Sequence, residues 1–219
     1  MAYGIVTIPF SERTRNANLI QASLKSQNVA ALVQVDNPKP RHNSLWNHFR
    51  MWRRLLATGK PWLTGMQDDI ILTSNFVEKH LARLNEHHLE SKVMSFFSMT
   101  TVRAKRALDS GARYFKYFGF SDQCATLHSG VVARMLSVFE EIFGDSIPAA
   151  YWEHFGYTKP RNLGWDSFWN MHCVEWEEEY NPIYVIPDLV QHDVDKFDSS
   201  IGNPNKGKGP GRISRTFEP

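Results

Sequence analysis

The chain of 219 residues is 42% hydrophobic and 13% aromatic, with 25 Lys plus Arg against 23 Asp plus Glu. That suits one domain with a real core and excludes disorder over most of the length. A net charge of +2 excludes a nucleic-acid coat acting through bulk charge, so any polyanion contact must come from a local patch. Two cysteines, Cys124 and Cys173, are too few for a disulfide framework and read as reduced thiols, which points to a cytoplasmic location. The first apolar run has no basic leader, and no stretch of roughly eighteen apolar residues exists, so no membrane span is expected. No internal repeat is visible.

Gly4 to Pro9 is a β-branched run stopped by proline and reads as a buried strand. Ser11, with Thr14 as a second candidate, can cap a helix that carries Ala17, Ile20 and Leu24 on one face. Ala30 to Val35 is the next strand, and strand, helix, strand favours a parallel pair joined by a right-handed crossover. A turn-rich loop from Asp36 to Asn43 leads to a helix from about Ser44, with a core stripe of Leu45, Phe49, Trp52 and Leu56. Pro61 to Gly65 is a third strand candidate running into Gln67-Asp68-Asp69, after which Ile70 to Leu72 resume the apolar pattern. Ser74 or Asn75 then caps a helix through Phe76, Leu81 and Leu84.

Lys92 to Met99 reads as a fourth strand, while residues 100 to 122 show no clear period. Cys124 to Leu127 is a short strand before a helix lined by Val132, Met135, Leu136, Phe139 and Phe143. Residues 144 to 165 read as loop, Asp166 begins a helix, and Ile183 to Ile186 is the last expected strand. The pattern predicts an α/β sandwich with a mostly parallel central sheet. A single domain over 1–198 divides into a nucleotide-type half (1–90) and an acceptor-type half (91–198), followed by a Gly-rich basic tail over 199–219. Ligands in such sheets sit at the carboxyl ends of the strands, where Asp36 and Asp68-Asp69 are expected to fall.

Adjacent carboxylates between apolar strand segments need a partner if buried, and a hard divalent cation is one. The competing reading is a strand-end turn with solvated acids. The order TIPFSERTRNANLIQASL, a strand ending in Asp36, a helix and then PWLTGMQDDIIL resembles the nucleotide-sugar half of GT-A-fold glycosyltransferases. The likeness covers residues 3 to 85 and, more loosely, 124 to 193. It implies a GT-A-like, Rossmann-related fold, a nucleoside-diphosphate sugar donor (a UDP-sugar favoured) and Mn²⁺ or Mg²⁺. The family's acidic motif ends a strand and binds the metal. Its metal ligand maps to Asp69, with Asp68 nearer the sugar or ribose, and Gln67 stands where many members have an acid.

The resemblance implies further that Asp36 reads the base and that Pro9 and Arg13 embrace the nucleotide. It implies that His192 completes the metal site, and that Asp166 is the acceptor-side base of an inverting enzyme. Each has a plainer alternative: a turn residue at Asp36, a strand-end histidine at 192, a helix cap at Asp166. In the tail, Lys206, Lys208, Arg212 and Arg215 interleave with glycines, as in a loop that folds over a diphosphate or in a plain disordered tail.

A second basic run, Arg41, Arg50, Arg53, Arg54 and Lys60, interleaves with Trp46, Trp52 and Trp62. It is either the polar face of a helix or a track for a phosphate backbone, with Arg50 and Arg54 on one helical face as the acceptor contacts. Compact glycosyltransferases of this look occur in bacteriophages, where some modify hydroxymethylated pyrimidines in DNA, so DNA is the acceptor expected here. A saccharide or lipopolysaccharide acceptor, and a nucleotide-binding module without catalysis, are the alternatives.

Overall fold

The computed structural model describes residues 1–36, 44–98, 101–116, 121, 123–144, 151–159, 164–192 and 217. The first half alternates strand and helix: β1 (Ala2–Thr7), α1 (Ser11–Ser26), β2 (Ala31–Val35), α2 (Ser44–Leu56), β3 (Trp62–Gln67), β4 (Ile70–Leu72) and α3 (Phe76–His87). The second half runs β5 (Val93–Ser95), α4 (Thr101–Asp109), β6 (Tyr114–Lys116), β7 (Cys124–His128), α5 (Ser129–Phe143), α6 (Tyr151–His154) and α7 (Trp165–His172). A 3-10 turn at Val174–Trp176 then leads to α8 (Glu177–Tyr180), β8 (Ile183–Val185) and β9 (Val190–His192).

Seven strands form one sheet in the order β2-β1-β3-β7-β5-β8-β6, and β4 pairs with β9 in a separate ribbon. β1 is parallel to β2 and β3, and β5 is parallel to β8. β7 runs antiparallel to both β3 and β5, and β6 is antiparallel to β8. Thus β1, β2, β3, β5 and β8 share one direction, which is the mostly parallel α/β sheet expected from the alternating pattern. The sheet takes strands from both sides of residue 90.

The second half departs from expectation in its details. The strand expected over 92–99 is hydrogen-bonded as a strand only at Val93–Ser95, and the aperiodic stretch 100–122 contains α4 and β6. The loop expected over 144–165 contains the single turn α6, and β9 follows the strand expected to be last. The helix from residue 166 is broken at Cys173, with α8 following as a separate turn. Neither Ser11 nor Asn75 caps with its side chain: Ser11 lies inside α1, whose N-cap is Phe10, and Asn75 is at the N-cap of α3 in the left-handed region (φ 52°).

Each face of the sheet carries its own core. Successive side chains of a strand point to opposite faces, so Tyr3 and Ile5 of β1 join Ile20 and Leu24 of α1 and Phe76 of α3, whereas Val6 joins the opposite layer. That opposite layer is built by α2, α5 and α7 through Phe49, Trp52, Phe139, Trp165, Phe168 and Trp169. Six of the seven tryptophans lie in it or against it; Trp62 packs on the other side.

Two glycines bring α2 down onto the sheet. Gly4 and Gly65 are direct partners across β1 and β3. A Cβ on Gly65 would lie 2.6 Å from Met51 Cε and 2.7 Å from Trp52 Cζ2, and one on Gly4 would lie 2.9 Å from Met51 Cγ. Beneath the other face, a buried polar chain crosses three strands. Tyr3 Oη meets His80 Nδ1 at 2.9 Å, His80 Nε2 meets Thr126 Oγ1 at 2.7 Å, and Thr126 meets Thr64 Oγ1 at 2.9 Å. Burial lowers the His80 pKa to about 3, so this histidine is a neutral structural group.

The glycine contact gives a direct test. Gly65→Ala should cost about 1–3 kcal/mol by overpacking against the rigid Trp52 ring. Urea unfolding at neutral pH measures this; an unchanged midpoint would show that α2 can lift without penalty.

Candidate active site at the acidic turn

β1 is flanked by β2 on one side and β3 on the other, so the chain leaves β1 in one direction and returns in the other. The crevice between the carboxyl ends of β1 and β3 is therefore a topological switch point, the place where open α/β sheets bind ligands. Val6 is opposite Gln67 in the register, so Thr7 and Asp68 lie side by side where the two strands end.

Both acids of the turn are buried, Asp68 at 1% and Asp69 at 4% exposure. The solvated-turn reading therefore does not describe them. Arg13, from the first turns of α1, forms an ion pair with Asp68 Oδ1 and donates from Nη1 to Asp69 Oδ2 at 3.1 Å. The Thr7 hydroxyl donates to Asp68 Oδ2 at 2.5 Å, and Asn16 Nδ2 donates to the Asp68 carbonyl at 2.5 Å. Asn47 of α2 and the backbone N–H of Asp36 both donate to the Thr7 carbonyl, each at 2.9 Å. Three sequence segments thus converge on the end of β1.

Burial is the largest influence on Asp68 and pushes its pKa up to about 6; Arg13 pulls it down and neighbouring Asp69 pushes it up. Burial also opposes the charge on Arg13, but Asp69 and Asp68 together hold its pKa above the ordinary value. The turn is thus a charged triad of two acids and one base, with its desolvation only partly offset by the ion pairs.

The other residues singled out in the sequence occupy several places. Asp36 is half-buried at the end of β2, tied to β1 through its own N–H. Exposed Pro9 lines a shallow surface depression with Ser11, Thr14, Arg15, Asn18, Leu19 and Val35. The backbone of His192 pairs with Ile70, the residue after Asp69, which places the end of β9 beside the turn; its side chain is outside the described groups. Asp166 lies in the first turn of α7, whose N-cap is Gly164, and accepts from the Ser167 N–H at 2.8 Å, a bond to the next residue and not a cap of the helix end. Lys206, Lys208, Arg212 and Arg215 lie outside the described residues, as does Arg41.

Arg50 and Arg54 are exposed on α2, away from the triad's own contacts. With Arg53, Trp46, Phe49 and Gln34 they line a groove of about 650 Å³. Arg54 Nη1 donates to Gln34 Oε1 at 3.0 Å and to the Val33 carbonyl at 3.2 Å, which anchors it midway along β2. Arg50 lies 5.9 Å from the centre of the Trp46 ring.

Thr7, Asn16 and Asp188 are absent from the sequence-based site. Asn16 had a readable signal: it stands four residues before Ile20, a polar residue on the apolar stripe of α1, and it is buried. Asp188 is buried beyond the end of β8 and lines a small cleft with Lys79, Arg83 and Arg113; only the short spacing from Ile186 marks it in the sequence.

Two carboxylates are chemically suited to a hard divalent cation. In this arrangement, however, the Arg13 guanidinium already contacts both, and among the described residues no cluster of three His, Cys, Asp or Glu is placed to hold a metal. Cys124 and Cys173 are buried free thiols, as their number suggested. Among the described residues no helix is long and apolar enough to cross a membrane.

No family model matches the chain, and no curated protein matches it. Among solved structures, one described as a glycosyltransferase involved in the glycosylation of the major capsid of PBCV-1 is similar at 11% identity. The alignment covers 75% of this chain and 79% of that one, with a TM-score of 0.42.

The triad predicts two stability effects. Arg13→Ala should cost about 3–5 kcal/mol at neutral pH, because two buried carboxylates lose their counter-charge. For Asp68, the folded pKa of about 6 lies above the ordinary 3.8, so the folded state binds the proton more tightly than the unfolded one. Its contribution is greatest below 3.8 and is lost as pH rises to about 6. Across that window Asp68→Asn should gain about 3 kcal/mol relative to wild type, at about 1.4 kcal/mol per pKa unit. Unfolding free energies measured across that range check both, and a wild-type-to-Asn difference independent of pH would contradict the second.

Proposed function

We propose that the protein is a glycosyltransferase that moves a sugar from a nucleoside-diphosphate sugar, a UDP-sugar favoured, to an acceptor hydroxyl. The observation that carries this reading is the buried acidic turn at the switch-point crevice, joined there by an arginine from the first βα segment. The acids and the arginine offer opposite charges to the two parts of such a donor: carboxylates for ribose or sugar hydroxyls, a guanidinium for diphosphate.

In this reading Asp36 contacts the nucleoside and Pro9 shapes the loop around it. Asp68 accepts hydrogen bonds from the sugar or ribose. Lys206, Lys208 and Arg212 add positive charge to the diphosphate. Asp69 and His192 would hold Mn²⁺ or Mg²⁺, which when bound supplies Lewis-acid stabilisation of the leaving diphosphate. The acceptor oxygen attacks the anomeric carbon as the bond to the diphosphate oxygen breaks. The nucleoside diphosphate leaves with the bonding electrons, and Asp166 takes the acceptor proton, as an inverting transfer requires.

The groove of Arg50, Arg53 and Arg54 favours a polyanionic acceptor, and DNA bearing 5-hydroxymethylpyrimidine combines that charge with a free hydroxyl. Arg54 is anchored midway along β2 rather than at its carboxyl end, so the groove would hold flanking phosphates while the reacting base is turned out towards the crevice. A neutral saccharide acceptor would make no use of it.

A screen of nucleoside-diphosphate sugars with Mn²⁺ should find a donor that raises the Tm through linkage. Asp166→Asn should keep that stabilisation while transfer falls by about 10²- to 10⁴-fold. If no nucleotide sugar or free diphosphate stabilises the protein, the donor reading fails and a module with another ligand takes its place. Arg50→Ala/Arg54→Ala should flatten the salt dependence of DNA binding. Transfer to a free saccharide with hydroxymethylated DNA inert would reject the DNA acceptor and leave the transferase standing.

A further inference from the structure

We propose that Arg13 is a built-in counter-cation that keeps divalent metal out of the acidic turn until a diphosphate draws its guanidinium away. This rests on reading the turn as the donor's diphosphate site.

The geometry assigns the roles of fixed and movable partner. Asp68 is held from three directions: its Oδ2 accepts from Thr7, its Oδ1 is paired with Arg13, and its backbone carbonyl accepts from Asn16. Thr7 is in turn fixed by Asn47 and by the Asp36 N–H. A short carboxylate in that setting has no room to swing. Arg13 reaches the pair through a long side chain with several rotatable bonds, and its anchor is the beginning of α1.

One guanidinium spans both acids, with Nη2 on Asp68 and Nη1 on Asp69. Nη1 thus holds Asp69 Oδ2, an oxygen of the carboxylate read above as the metal ligand. The Arg13 side chain is only 13% exposed in the pair, so little solvent screens it from an incoming cation. A divalent ion approaching the free protein therefore meets a position already filled by positive charge, in a setting where charge repulsion is strong. Displacing the guanidinium without a new partner would leave a partly buried cation uncompensated.

A diphosphate removes that obstacle. Guanidinium binds phosphate oxygens with the same forked geometry that it uses on carboxylates, so Arg13 can exchange one pair of anionic partners for another. The exchange turns Asp69 Oδ2 over to metal at the moment when phosphate oxygens are present to add to its coordination. Metal and nucleotide would bind with positive coupling, each strengthening the other by the same factor.

Mn²⁺ binding, followed by loss of the free-ion electron paramagnetic resonance signal, tests this without any turnover. Free wild-type protein should bind Mn²⁺ at least tenfold more weakly than Arg13→Gln, and Arg13→Gln/Asp69→Asn should lose the gain. Arg13→Lys, which keeps a charge but cannot span both acids, should fall between them and serves if the Gln variant does not fold. UDP, with its own Mn²⁺ complex subtracted, should tighten Mn²⁺ on wild type at least tenfold and on Arg13→Gln far less. Wild type binding Mn²⁺ as tightly as the variants, or no Mn²⁺ binding gained in either variant, would overturn the proposal. Sugar transfer accompanied by tight Mn²⁺ binding to the free wild type would reject the Arg13 exchange and leave the transferase intact. Mn²⁺ gain in Arg13→Gln with no nucleotide sugar bound by any form would retain the exclusion by Arg13 and reject the donor reading.

Discussion

Two carboxylates side by side at the end of a sheet, shut off from water, cannot both stay ionised without a positive charge beside them. Arg13 supplies that charge from α1, and the surrounding structure holds the arrangement in place. Asn16 lies one helical turn from Arg13 and fastens the same helix to the turn's backbone. Asn47 reaches from α2 on the opposite face of the sheet to the carbonyl of Thr7, and the Thr7 hydroxyl returns to Asp68. Both layers of helices are thus tied to the strand ends at one point. The Gly4–Gly65 contact contributes indirectly: by letting α2 sit close, it brings Asn47 within reach of β1.

The first half of this fold was legible because its signals are local and strong. β1 and β2 are short apolar runs, α1 and α2 carry apolar stripes at helical spacing, and the parallel β1–β2 pairing follows from the helix between them. The second half was less so, for identifiable reasons. β6 is three residues long and only half-buried, so it has neither the length nor the apolar run that marks a strand. α4 has few buried positions to set a period. In Lys92 to Met99 the apolar run outlasts the strand because Phe96 and Phe97 are buried beyond the ladder. Burial and strand pairing are different constraints, and composition reports only the first.

The site was legible as residue types but not as contacts. The sequence puts Arg13 in the first βα loop, where the structure has it inside α1, and the acids at the end of a strand. Their union spans 56 residues from Arg13 to Asp69, and no short-range pattern encodes it. Nor could burial be read from adjacent acids, which are common in solvated turns. The nine histidines illustrate the same limit. His80, fixed between a tyrosine and a threonine, has a role as definite as any catalytic group, yet nothing near it in sequence separates it from the half-buried His88.

The uneven distribution of tryptophan has an optical consequence. Six of the seven indoles belong to the layer of α2, α5 and α7, whereas α1 and the acidic turn bring none to their own side. Intrinsic fluorescence will therefore follow the melting of that one layer. A rearrangement confined to the Arg13 triad would pass almost unseen by it, although Arg134 lies 4.1 Å from the centre of the Trp176 ring and makes the far edge of the same layer sensitive to local charge. The protein is in effect labelled mainly on one face, with Trp62 alone packed on the other, so an emission change and a change at the crevice are largely separate observables.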